Sequence, residues 1–333
     1  MIFGVLILAI MSGVIVLLNP ALFIPVLFAD LWLLGYHHVI STFTKLAGTA
    51  QDREDNKFLI YYLPFIVLGA VFSIQYLVGT WAIVTIYFFW QWYHYTRQSY
   101  GISTFYRHKS GVKNSSTPPR LDLAAIWAVP IWGVVHRCAQ GWEKFLFQPV
   151  WLPQIPLWAD TVVGVAASAV LLWWFVTKIT DWSQGNLAYG SFFYVVSHHT
   201  AFYIGYIFIP DITFGWLVSN IWHNAQYILF VWLFNQNRFQ SAETKEQSPV
   251  LHWLSQRNPF RTLAYFFVSI VLTTLLYNGL DMGVNWISGA DTAKVAAFTI
   301  ILYQTINFHH YIVDSRIWKA RKKSHQKIMK INV

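Results

Sequence analysis

The sequence predicts an all-α fold: a polytopic helical bundle integral to a membrane, with about ten transmembrane helices and both termini cytoplasmic. Three observations predict it. Of 333 residues, 56% are apolar and 11% charged, whereas soluble domains average about 45–50% and about 25%. Mean hydropathy is +0.43, which excludes an ordinary soluble enzyme, a disordered chain and a nucleic-acid-binding module. Apolar segments of roughly the 20 residues that cross a hydrocarbon core recur along the whole chain.

The first segment, 2–18, has no positive n-region and no A-x-A-like cleavage site, so it reads as a retained span and not as a secretory signal. Asn19-Pro20 breaks the chain before the second, 21–46. Segments 58–74, 78–98 and 120–139 follow. The stretch 141–156 contains Trp142, Pro149, Trp151, Pro153 and Pro156, and reads as interfacial because Trp favours the headgroup level. Segments 158–178, 189–209, 213–236, 260–280 and 292–315 complete the set. The polar stretches 107–119 and 237–258 read as flexible cytoplasmic loops. Residues 316–333 form a basic cytoplasmic tail, and the chain 1–333 reads as a single membrane domain without an internal repeat.

The charges set the orientation. Ten spans divide the loops into two groups, and twenty of the 23 basic residues fall in one of them. Only Arg137, Lys144 and Lys294 fall in the other. Lys and Arg accumulate on the cytoplasmic side, so the net charge of +9 reflects topology and not a polyanion partner. The single cysteine, Cys138, rules out an internal disulfide and a cysteine-ligated metal cluster.

Eight of the twelve histidines lie inside apolar segments: His37, His38, His94, His198, His199, His223, His309 and His310. Polar side chains in hydrocarbon are costly and mark function. At a rise of about 1.5 Å per residue, His38 lies about 10 Å from the charged boundary at Lys45, His94 about 5 Å from Arg97, and His310 about 9 Å from Arg316. His198 lies about 12 Å into its span, so four helices place histidine in the same half of the membrane, while His223 is deeper. Convergence at one depth points to a shared metal site, and imidazole suits iron, copper and zinc. Neighbours in a pair point about 100° apart, so either member of each pair is the candidate ligand. Asn307, His310 and Asp314 share one helical face, where Asp314 either orients a ligand histidine or pairs with Arg316 or Lys319. Asp30 stands seven residues before His37 on one face, mid-span, as a ligand, a proton relay or a histidine partner. Asn220, His223 and Asn224 form another polar group, and Tyr93, Tyr95, Tyr100, Tyr203 and Tyr311 are candidate lining residues. His136 reads as interfacial, and His108, His252 and His325 as solvated.

Histidines dispersed over separate spans, the last reading His-His-Tyr-Ile-Val-Asp before a basic end, resemble the bacterial membrane β-carotene dioxygenases of the Brp/Blh type. That resemblance implies a helical membrane protein holding a non-haem iron that cleaves a polyene with O2. It also implies ligands among His37 or His38, His94, His198 or His199, and His309 or His310. The chain departs from that family in having no H-x-x-x-H; the same absence disfavours the histidine-box desaturases and hydroxylases.

The expected function is a non-haem iron oxygenase or dioxygenase, with one or two iron ions, acting on a lipid, isoprenoid or polyene. Its expected partners are O2, an electron donor and the lipid bilayer, with no nucleic acid. The expected location is the bacterial inner membrane. Two other readings stay open: a haem-binding redox protein, and a proton-coupled transporter with Asp30 and Asp314 in the relay.

Overall fold

A computed structural model describes residues 1–289, 291–318 and 328. Apart from residue 328, the expected basic tail beyond Trp318, with Lys319 and His325, lies outside the described residues. Helix accounts for 83% of the structure. The only sheet among the described residues is a hairpin of β1 (Lys144–Phe145) and β2 (Gln148–Pro149), inside the stretch read as interfacial.

Each segment expected to span coincides with a helix. α1 is Ile2–Leu18. Pro20–Leu46 follows as α2 (Phe23–Asp30), a π turn (Leu31–Gly35) and α3 (Tyr36–Leu46). After the short α4 (Ala50–Asp55), a π turn (Phe58–Tyr62) leads into α5 (Leu63–Leu77). α6 (Thr80–Lys109), α7 (Pro119–Ala139) and α8 (Leu157–Ser183) come next. α9 (Tyr189–Tyr203) ends in a third π turn (Ile204–Phe208) before α10 (Ile212–Arg238). α11 (Ala242–Gln247) and α12 (Pro249–Leu254) precede α13 (Pro259–Ser288) and α14 (Thr292–Ile317).

Five of these helical stretches are long and apolar enough to cross a membrane: Pro20–Leu46, Phe58–Leu77, α7, α8 and α13. The chain is therefore an integral membrane protein. Of the other expected spans, α1 has 17 residues. The remaining four, α6, α9, α10 and α14, are the helices that carry His94, His198, His199, His223, His309 and His310. Their polar side chains lower their hydropathy.

The chain divides into two compact units. The first contains Met1–Val26 and Phe88–His223. Its hub is α7, which packs on α8, α9 and the π turn Ile204–Phe208. Leu121, Ala125, Ile126, Trp174 and Val195 form its core. Close approach depends on small residues, as in other membrane helix pairs: a Cβ at Gly164 would stand 2.8 Å from the Trp132 ring, and one at Gly133 would stand 2.6 Å from Tyr206 Cβ. Arg137, on the side expected to be outer, is completely buried. Its guanidinium donates to the carbonyls of Gly205, Ile209 and Pro210 at 3.0, 2.6 and 2.6 Å. These belong to the π turn and the helix end, where carbonyls lack intrahelical donors, and the planar fork of arginine matches several at once. His136 accompanies it, with Nδ1 2.9 Å from Asp160 Oδ2.

The second unit contains Leu27–Tyr87 and Asn224–Trp318. Here α14 is the hub and packs on α3, α5 and α13. Local hydrogen bonds structure both expected loops, 237–258 in this unit and 107–119 in the first. Within 237–258, Ser241 caps α11 through the Thr244 N–H, and Pro249 opens α12. Within 107–119, Ser115 and Thr117 donate to Asp181 Oδ2 of α8 at 2.7 and 2.9 Å. Local capping and one buried carboxylate thus do work that composition does not reveal.

Candidate metal centre

Three side chains of the second unit converge in its interior: His38, His310 and Asp314, all buried. One ligand atom from each lies within 4.8 Å of the others. On α14, His310 and Asp314 are four residues apart and so stack on one face; His310 Nε2 lies 3.6 Å from Asp314 Oδ2. On α3, the π turn decides which histidine takes part. In an unbroken α-helix, residues seven apart share a face, which would put His37 in phase with Asp30. The π turn Leu31–Gly35 takes in one extra residue, so His38 has the phase that His37 would have had. His38 Nε2 lies 2.7 Å from His310 Nε2.

A set of hydroxyls fixes this group from outside. Tyr227, on α10, donates to Asp314 Oδ1 at 2.8 Å and receives the indole N–H of Trp318 at 2.9 Å. Thr42, one turn after His38, approaches Asp314 Oδ1 to 3.4 Å. Its Oγ1 lies 2.8 Å from the Tyr227 hydroxyl and 3.1 Å from His310 Nδ1. With Tyr227 donating to the ionised Asp314 carboxylate, the Thr42 proton fills the 2.8 Å contact to the Tyr227 oxygen, and Thr42 Oγ1 accepts from His310 Nδ1–H. That assignment leaves Nε2 of His310 as a lone pair. Two imidazole nitrogens and one carboxylate oxygen then face a common point. Imidazole–metal bonds of about 2.0–2.1 Å put two ligands at right angles about 3 Å apart, so the rings need to part by only about 0.3 Å to share an ion.

The other sequence candidates are placed as follows. His37 packs edge-on against Phe266, with ring centroids 5.7 Å apart. His309 donates Nε2–H to the Leu59 carbonyl at 2.7 Å. Leu59 belongs to the π turn Phe58–Tyr62, so His309 serves backbone that the turn leaves exposed. Asp30 is buried at the end of α2, and Asn307 bonds Gln304 at 3.4 Å.

In the first unit, His94 and His223 stand with ring centroids 5.2 Å apart. Tyr95 stacks on His223 at 3.7 Å, and its hydroxyl bonds Asn220 and receives the Gln91 amide at 2.6 Å. His198 donates Nε2–H to the Ile126 carbonyl at 2.9 Å. His199 lies edge-on to Trp174, and neither of its ring nitrogens has a hydrogen-bond partner among the described residues. Of the candidate tyrosines, Tyr93 and Tyr203 are exposed, and Tyr311 packs on Phe308.

Sequence reasoning missed Thr42, Tyr227 and Trp318. Thr42 had a legible signal, because it stands at i+4 from His38. Tyr227 had none beyond being one of 18 tyrosines.

No protein-family model, no curated protein and no solved structure matches the chain.

Proposed function

We propose that this protein is a membrane-embedded non-haem iron oxygenase acting on an apolar substrate dissolved in the bilayer, with His38, His310 and Asp314 as its iron ligands. The observation that carries this reading is the donor set. Imidazole and carboxylate donors together suit non-haem Fe(II) of the O2-using kind. The donors are buried, so bound iron would supply O2 activation where water is excluded. Tyr227 holds the carboxylate and Thr42 sets the His310 tautomer, the role outer hydrogen bonds play around metal ligands. In this reading all ten expected segments span, both termini are cytoplasmic, and the host membrane is the bacterial inner membrane. If both oxygen atoms enter the substrate, no external electrons are consumed; if one enters, a donor supplies two electrons.

Metal analysis with an absorption spectrum of detergent-purified protein is the direct test. The expected result is near-stoichiometric iron without a Soret band. A Soret band would replace this reading with haem, and protein that takes up no transition metal on reconstitution would remove the metal centre. Cysteine labelling in intact cells tests the topology: position 113 is expected to be shielded from an impermeant reagent and position 144 open to it.

A further inference from the structure

The short helix α12 stands on the side expected to be cytoplasmic, within a stretch that composition reads as a polar loop. It has two apolar faces. Leu251 and Leu254 point inward, Leu254 almost fully buried and Leu251 against Gly48. Val250 and Trp253 point outward, 66% and 43% exposed. Three polar ties hold the helix in place: Ser248 to the Gly48 carbonyl, Gln240 to the Ser255 carbonyl at 3.1 Å, and Gln256 to the Phe239 carbonyl at 3.1 Å. The outward face is therefore a fixed surface.

That surface continues onto α13. Trp253 meets Phe260 edge-on at 6.2 Å. Phe260, Leu263, Phe267, Val271 and Leu275 follow at the spacing of one helical face, and all are exposed. On a helix apolar enough to span, such a stripe faces lipid. Two arginines flank the junction: Arg257 is exposed, and Arg261 lies over the Trp253 ring at 5.6 Å. An aromatic at headgroup level with cationic groups beside it is the arrangement that seats a helix in the interface.

We propose that α12 lies in the headgroup layer of the cytoplasmic leaflet, with Val250, Trp253 and Phe260 against acyl chains and Arg257 and Arg261 on the phosphates of anionic phospholipid. The neighbouring α11, with Glu243, Lys245 and Glu246 exposed, stays in water. This assignment uses none of the metal-site residues.

A fluorophore attached at Val250→Cys in full-length protein, in nanodiscs of phosphatidylcholine and phosphatidylglycerol, reports depth. Cys138 is buried and does not compete for label. The label at 250 is expected to be at least fivefold less accessible to an aqueous quencher than one at Glu246→Cys, and to be quenched by shallow spin-labelled lipid. Equal accessibility would leave this face open to a soluble protein partner and overturn the assignment. Enrichment of phosphatidylglycerol around the protein is expected to fall by about fivefold for each of Arg257→Gln and Arg261→Gln. Unchanged enrichment in the double variant would overturn the role of the arginines.

Discussion

At the residue scale, the three proposed ligands and the hydroxyls behind them have separable effects. Replacing His38 or His310 with Ala, or Asp314 with Asn, is expected to lower bound iron to under about a tenth of an equivalent, read by metal analysis. His37→Ala and His309→Ala are expected to keep their iron, because those side chains contact Phe266 and the Leu59 carbonyl. Tyr227→Phe removes the donor to Asp314 Oδ1 and is expected to weaken iron binding by about 10–100-fold, the usual effect of losing a hydrogen bond to a ligand. Competition with a chelator of known affinity measures it. The sequence pointed to paired histidines on separate spans and stopped there. Choosing one member of each pair requires the rotational phase of each helix.

At the element scale, the π turn supplies that phase. Deleting Leu33 turns Leu31–Gly35 into ordinary α-helix without rotating His38 relative to Asp30, so iron loading is expected to survive. Deleting Val39 leaves His38 in place but rotates Thr42 by about 100° and is expected to weaken iron binding by about 10–100-fold. Equal loss of iron from both deletions would count against the phase argument. Arg137 is the corresponding device in the first unit, since it saturates carbonyls that the third π turn and the helix end leave open. Arg137→Met is expected to destabilise the protein by about 1–3 kcal/mol for each buried carbonyl left without a donor. Thermal unfolding in detergent would show it, with Arg137→Lys only partly restoring stability because an ammonium cannot reach several carbonyls in one plane.

At the scale of the whole molecule, polar side chains and hydropathy compete on the same helices, and on α14 the polar side chains include two proposed ligands. The helices carrying His94, His198, His199, His223, His309 and His310 are not among the five that are apolar and long enough to qualify as spans. Their insertion is expected to depend on their neighbours. α14 expressed alone in an insertion assay is expected to insert poorly, and His309→Leu with His310→Leu is expected to raise its insertion markedly. Efficient insertion of the unaltered segment would show that its polar face costs less than burial within the bundle suggests.

The sequence by itself determined the helical membrane class, the position of each long helix, and the concentration of histidine in apolar segments. These follow from local rules: run length, breakers such as Asn19-Pro20, and the cost of polar groups in lipid. Tertiary structure decided which histidines meet, because that depends on the helical phase set by a π turn and on the packing of α3 and α14. It also brought in Thr42 and Tyr227, whose roles come from the carboxylate and the imidazole they touch. Composition reads 237–258 as a polar loop, yet α12 presents a fixed apolar face there. Six residues are too few to show periodicity, so that face exists only because Leu251 and Leu254 are anchored on its other side.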